Sequence, residues 1–337
     1  MVKKINFTDK IFLAGSSGMV GNAVKKSLEK NGYGLKINNG KLLYPSKKEL
    51  NLLEETSVNN WFKENKPEIV ILAAAKVGGI YANSRFPADF LLENLKIQTN
   101  VIENSWKANV KRFLFLGSSC IYPKLAPQPL KEEYLLTGPL EKTNEPYAIA
   151  KIAGIKLCSA LRRQYGFNAI SVMPTNLYGP GDNYHEKDSH VMPALIRRIH
   201  HAKTTNKSEI TCWGTGQPKR EFLFVDDLAE ACIFILENFS STNQSTNDKN
   251  KIFDELINIG TGSDISIKKL SEIIALELNY KGDIKWDSTK PDGTLRKLLD
   301  VSKINNLGWF AKTKLEEGIK ATIKCYEKEL KNQSLRF

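Results

Sequence analysis

Tyr147-Ala-Ile-Ala-Lys151 sets a phenol and an ammonium four residues apart, which on a helix is a single face. Upstream, Gly117-Ser118-Ser119 closes a strongly apolar run. A carbonyl that receives hydride becomes an alkoxide and needs a proton. A free phenol titrates near about 10, and a neighbouring cation favours its ionised form. Lys151 is therefore expected to poise Tyr147 for proton transfer near neutral pH, with the Ser118 hydroxyl holding the carbonyl oxygen. Taken alone, the pair fits an amphipathic surface helix equally well.

Hydride chemistry also needs a donor. Gly15-Ser16-Ser17-Gly18-Met19-Val20-Gly21 is a G-x-x-G-x-x-G string placed between an apolar, strand-like run and a helical stretch. Glycines there let the chain turn sharply and approach a pyrophosphate, while the helix that follows presents free N–H groups to the anion. An acidic residue on the second strand would select NAD by bonding the ribose hydroxyl. This chain offers Tyr44-Pro45-Ser46-Lys47-Lys48 instead, so a 2′-phosphate on Lys47, hence NADP(H), is favoured.

The elements that must position these groups alternate. Strands are expected at 10–14, 41–44, 69–74, 112–117 and 169–173, and helices at 22–30, 54–64, 88–109 and 147–165. That alternation predicts an α/β fold, a doubly wound, Rossmann-like parallel sheet covered on both faces. Beyond Pro174 the pattern loosens into a Gly/Pro/Asn-rich stretch, a helix at 191–202, a strand at 209–213 and a strand-helix unit at 222–237. Residues 1–174, with 222–260 returning to them, are read as the cofactor domain. Residues 175–221 and 261–337 are read as a smaller C-terminal α/β lobe for the substrate. Residues 31–39 look like an inserted surface turn, and 240–251 like an exposed loop.

The chain has 337 residues, 41% hydrophobic and 26% charged, with a formal charge of +12. The basic residues are scattered rather than gathered with aromatics, which argues against nucleic acid and leaves phosphorylated ligands as the anionic partner. No apolar run approaches a membrane span, and the N-terminus reads as mature sequence, so a cytoplasmic location is expected. Cys120, Cys158, Cys212, Cys232 and Cys325 form neither a metal-ligand spacing nor an even disulfide set, and no metal is expected.

The glycine loop, Gly117-Ser118-Ser119 and Tyr-x-x-x-Lys together resemble the extended short-chain dehydrogenase/reductases, most of which act on nucleotide sugars. Longer strings narrow the resemblance: LAAAKVGGI (72–80), LGSSCIYPKL (116–125), NEPYAIAKIAGIKL (144–157), MPTNLYGP (173–180), REFLFVDD (220–227) and KPDGTLRKLLD (290–300). These are similar to the GDP-L-fucose synthase family, over residues 10–307. The longer 31–44 turn departs from that pattern, as does Ser17, where some relatives carry a basic residue.

The resemblance implies 3,5-epimerisation and NADPH-dependent C4 reduction of GDP-4-keto-6-deoxy-D-mannose by a homodimer built on helices 88–109 and 147–165. It assigns Cys120 as base and His190 as acid; without it, each reads as an ordinary buried thiol or surface imidazole. It places the cofactor on Gly15, Ser16, Ser17, Gly18, Met19, Val20, Gly21, Lys47, Leu116, Gly117, Ser118, Ser119, Lys151, Pro174, Thr175, Asn176, Leu177 and His190. It places the GDP-sugar on Arg198, Trp213, Arg220 and Asp292. Two other readings stand beside it: an epimerase/reductase or C4-reductase for a related GDP-sugar such as a 6-deoxy-heptose, and a non-catalytic nucleotide-binding regulator.

Overall fold

Three short runs, Ile69–Leu72, Arg112–Leu116 and Ala169–Pro174, are buried at every position, as strands covered on both faces must be. In the computed structural model, which describes residues 4–239, 255–290 and 292–337, they lie inside a six-stranded parallel sheet. The chain begins β1 (Lys10–Ala14), α1 (Met19–Lys30), β2 (Lys41–Leu43), α2 (Glu55–Asn65), β3 (Ile69–Leu72), α3 (Ile80–Arg85), α4 (Pro87–Lys107), β4 (Arg112–Leu116), α5 (Glu145–Tyr165) and β5 (Ala169–Pro174). It leaves the sheet through β6 (Asn176–Tyr178), α6 (Val191–Thr204), β7 (Glu209–Trp213) and β8 (Lys219–Phe224), then returns with α7 (Val225–Asn238) and β9 (Leu256–Ile259). It finishes with β10 (Asp264–Ser266), α8 (Ile267–Glu277), β11 (Asp283–Asp287), β12 (Arg296–Lys297), α9 (Ser302–Asn306) and α10 (Leu315–Lys331).

The strand order is β2-β1-β3-β4-β5-β9, the doubly wound arrangement expected from the alternation of elements. Right-handed crossovers place α1 opposite α2, α4 and α5. Helix α4 packs along both α2 and α5, while α7 packs on α1. Because every strand points the same way, the segments after β1, β4 and β5 emerge at one edge of the sheet. The order turns around at β1, and ligands of such sheets sit in the crevice beside that point. Gly15 occupies it with φ +93°, and a Cβ there would stand 2.6 Å from Ala74 N. A Cβ on Gly21 would come within 2.0 Å of the Gly15 carbonyl oxygen, so α1 can approach the loop only with glycine at that position.

A second apolar cluster gathers Tyr178, Tyr184, Ile196, Leu270, Ile319 and Tyr326 around α6, α8 and α10. Strand β8 is its hub, pairing in parallel with β6 and β12 and antiparallel with β10. Strands β7 and β11 form a separate parallel pair.

The stretch 31–39 is more than a surface turn. Tyr33 is fully buried there, and its hydroxyl donates to Glu237 at 2.5 Å. A large aromatic gains most by burial, and its polar tip found a partner on α7. Residues 240–251 lie outside the described residues. Among the described residues, no helix is long and apolar enough to cross a membrane.

Candidate active site

Strand β4 delivers Leu116, Gly117 and Ser118 to the carboxyl edge of the sheet, and the chain then tightens into a single turn, Ser119–Ile121. Ser118 caps that turn, its Oγ accepting from the Cys120 N–H at 3.2 Å. Helix α5 supplies the other wall. Its N-cap residue is Asn144, a residue favoured for that position, yet its side chain makes no capping bond. The amide instead donates from Nδ2 to Cys120 Sγ at 3.3 Å.

A second donor reaches the thiol from β12, where Lys297 Nζ stands 3.4 Å from Sγ. Burial pushes the Cys120 thiol up, but Lys297, the hydrogen bond with Ser118 and the more distant Arg220 outweigh it and leave it below the ordinary thiol range. Two donors and a net downward shift are what a thiolate base requires.

Tyr147 lies in the first turn of α5 and Lys151 one turn later, both facing β4. Lys151 Nζ donates to the Leu116 carbonyl at 2.8 Å and is buried, which lowers it to about 8. The ammonium sits 5.9 Å from the centre of the Tyr147 ring, over its face. The expected lowering of the phenol is not found in the protein alone. Burial and the neighbouring Cys120 raise Tyr147 above the usual phenol value, with the Ser118 hydrogen bond opposing. The phenol therefore stays protonated, as the donor of a reduction must be.

His190 is the N-cap residue of α6. Crowding by the surrounding protein and the charge of Lys297 lower its imidazole, so it is neutral at pH 7. To act as an acid it must take up a proton, which negative charge developing beside it favours. Lys297 thus acts electrostatically on both Cys120 and His190.

The residues proposed for the cofactor converge. Residues 15–21 follow β1, Leu116–Ser119 follow β4, and Pro174–Leu177 follow β5, all at one sheet edge. Thr175 and Asn176 are held on β8, their side chains donating to the Glu221 carbonyl at 3.3 and 2.8 Å. Lys47 lies exposed beyond β2, next to Tyr44, whose ring carries Lys25 Nζ 4.2 Å from its centre. The tight turn that Gly15 and Gly21 permit, with the N-terminal end of α1 behind it, fits a pyrophosphate.

The substrate candidates are more dispersed. Arg220, on β8, is within electrostatic reach of Cys120 and Asp292. Trp213 ends β7 and is 70% exposed, with Lys290 Nζ 6.0 Å from its ring centre. Arg198 donates to the Thr211 carbonyl at 2.8 Å, one strand position from Cys212. Asp292 is already engaged, accepting from Thr215 N–H at 2.9 Å and Thr215 Oγ at 2.7 Å, so it fastens the rim beside Trp213. Lys297 and Asn144, the two partners of Cys120, were not anticipated. Both stood inside the strings KPDGTLRKLLD and NEPYAIAK, and the signal that would have found them is which donors face the thiol.

Comparison with known proteins fits this geometry. Residues 11–260 match the model of the NAD dependent epimerase/dehydratase family. GDP-L-fucose synthase 1 of Arabidopsis thaliana is 50% identical over 96% of this chain and 95% of its own length. A GDP-6-OMe-4-keto-L-xylo-heptose reductase from C. jejuni superimposes with a TM-score of 0.88 at 35% identity, covering 96% of this chain and 99% of that one. A GDP-L-fucose synthetase from Naegleria fowleri bound to NADP gives 0.84 at 26% identity, covering 98% and 96%. The chain therefore belongs to the NAD dependent epimerase/dehydratase family, and within it to the GDP-L-fucose synthases.

Proposed function

We propose that this protein converts GDP-4-keto-6-deoxy-D-mannose to GDP-L-fucose, inverting C3 and C5 and then reducing C4. The observation that carries the reading is the Cys120 thiol, held by Asn144 and Lys297 beside Ser118 and Tyr147. A plain carbonyl reductase needs no such base. The hydrogens on C3 and C5 are acidified by the C4 ketone. Cys120 removes one, the negative charge spreads onto the ketone oxygen at Ser118, and His190 returns a proton on the opposite face. Each inversion leaves a proton on Cys120 and takes one from His190, so both groups exchange with solvent before the next. Bound NADPH supplies the hydride to C4. The Tyr147 hydroxyl gives its proton to the resulting oxygen, and Lys151, fixed on the Leu116 carbonyl, places a cation beside the phenol as it loses that proton.

Gly15–Gly21, the segments after β4 and β5, and Lys47 would hold the dinucleotide. Arg198, Trp213 and Arg220, with Asp292 fixing the rim, would hold the GDP moiety. On this reading the cofactor domain is 1–174 with 222–260, and 175–221 with 261–337 form the substrate lobe. We also propose a homodimer. Helices α4 and α5 pack side by side and expose Leu92, Ile149 and Tyr165, and sedimentation would read the mass directly. Five free cysteines suit a cytoplasmic, reducing setting.

The structural likeness to a heptose reductase favours one competitor, reduction of a related GDP-sugar without inversion. Turnover of GDP-4-keto-6-deoxy-D-mannose with NADPH in heavy water separates the two. Deuterium at C3 and C5 of a fucosyl product is the expected result. A reduced product without deuterium leaves only the reductase, and no NADPH oxidation on any GDP-keto-sugar leaves a non-catalytic binder.

A further inference from the structure

Arg336 stands beyond α10, and its backbone is held by residues 183 and 184. Its carbonyl accepts from the Tyr184 N–H at 2.9 Å, and Asn183 pairs with Arg336 in a parallel bridge. The guanidinium crosses to the glycine loop, where Nη1 and Nη2 would lie 3.7 and 4.0 Å from a Cβ on Gly18.

Gly18 is the N-cap residue of α1. The N-terminal end of a helix carries partial positive charge, so a cation brought against it is unfavourable unless an anion lies between them. The loop and the first turn of the helix do not supply that anion. Residues 15–21 carry no charge, and the first turn of α1 has no acidic residue. Among the described residues, none of the ion pairs includes Arg336. One carboxylate within its electrostatic reach is Asp182, which is 4% exposed, and its Oδ2 has no hydrogen-bond partner among the described residues. Burial pushes Asp182 up to about 7, against the Asn183 N–H bond and the pull of Arg336, so it is an incomplete counter-charge.

We propose that the Arg336 guanidinium binds a phosphate of the dinucleotide seated on the glycine loop, so that the C-terminal segment completes the cofactor site. The inference rests on the NADPH reading above. A guanidinium suits the task because its planar fork can meet two phosphate oxygens at once. The bridge to Asn183 puts this cation on the segment that leads into His190, which ties cofactor occupancy to the loop carrying the acid.

The test is titration of the full-length protein with NADPH and with NADH, for wild type, Arg336→Ala and Arg336→Lys. Arg336→Ala is expected to weaken NADPH binding about tenfold or more, with a shallower salt dependence. Arg336→Lys should recover part of the loss through its point charge. The thermal midpoint of the ligand-free protein and KM for the GDP-sugar should stay near wild type. Equal loss for NADPH and NADH assigns the cation to the pyrophosphate, and loss for NADPH alone assigns it to the 2′-phosphate; both support the proposal. Unchanged affinity for both dinucleotides overturns it, as does a rise in sugar KM equal to that for NADPH, which marks a purely structural tail. A wild type that binds neither dinucleotide overturns the NADPH reading and this inference together.

Discussion

Lys297 Nζ lies 3.4 Å from Cys120 Sγ although 177 residues separate the two. The pairing of β12 on β8, with Lys297 opposite Arg220, brings the amine to the thiol. One cation then acts on two groups: it favours the charged form of the thiol that must lose a proton, and it disfavours the charged form of the imidazole, which burial lowers further.

Replacing Lys297 by Met removes a donor and a charge from the thiol without touching its cap. Burial, the opposing influence, then dominates, and the Cys120 titration moves up. The pH profile of Cys120 alkylation should shift to higher pH, and solvent deuterium uptake at C3 and C5 should fall by up to about a hundredfold, the lower limit of what a general base contributes. An alkylation profile superimposable on wild type would remove Lys297 from the activation of the base.

Such a contact is hidden from a sequence for a physical reason. Tyr147, Lys151 and the glycine loop are legible because each motif is built within one or two turns of chain. The strands around them are legible because burial on both faces forces unbroken apolar runs. Strand β12 is two residues long and β6 and β10 three each, too short for any periodicity to register. Their partners are chosen by tertiary register alone, so the Lys297–Cys120 pair follows from no local pattern. Tyr33 was missed for the converse reason. Its Gly- and Asn-rich surroundings speak for an exposed turn, while the ring found Glu237, 204 residues away. The Tyr147 titration was misjudged because desolvation, a property of the whole packed site, outweighs the one neighbour that the helix spacing reveals.

Lys151 links catalysis to stability through pH. Burial lowers it to about 8, below the unfolded value of about 10.4. Between those values the folded protein binds fewer protons than the unfolded chain, so stability rises with pH across that window and the cost of the buried charge is fully present below it. Lys151→Met should therefore raise the thermal midpoint at pH 7, by about 1–2 kcal/mol in stability, with the gain fading toward pH 10. Reduction at C4 should be lost in the same variant. In the wild type, the rate of reduction should decline above about pH 8 as the ammonium is lost. A variant no more stable than wild type at pH 7 would mean that the Leu116 hydrogen bond fully offsets the desolvation of the charge.

Gly15 should tolerate no side chain. Its φ of +93° is strained for other residues, and the added Cβ would meet Ala74 N at 2.6 Å. Gly15→Ala is expected to destabilise the fold by about 1–3 kcal/mol and to weaken NADPH binding more than tenfold, since the loop must open to relieve the clash. Calorimetry and dinucleotide titration on the same preparation check both. Unaltered NADPH affinity would show that the cofactor does not rest against this turn.

Trp213 offers the opposite case, a large aromatic whose packing contributes little to the fold. It is 70% exposed at the end of β7, with Lys290 over one side and the rim fastened by Asp292 and Thr215 beside it. An exposed indole costs apolar contact with water unless something covers it, and a nucleotide base is a flat partner of the right size. Removing an aromatic that stacks on a base costs about 1–3 kcal/mol, roughly a ten- to hundredfold loss of affinity. The base lies far from the reacting ketone, so that loss is shared by ground state and transition state. Trp213→Ala should accordingly raise KM for the GDP-sugar while leaving kcat, NADPH affinity and thermal midpoint near wild type. A change confined to kcat would place Trp213 outside the nucleotide site and assign it to movement of the rim.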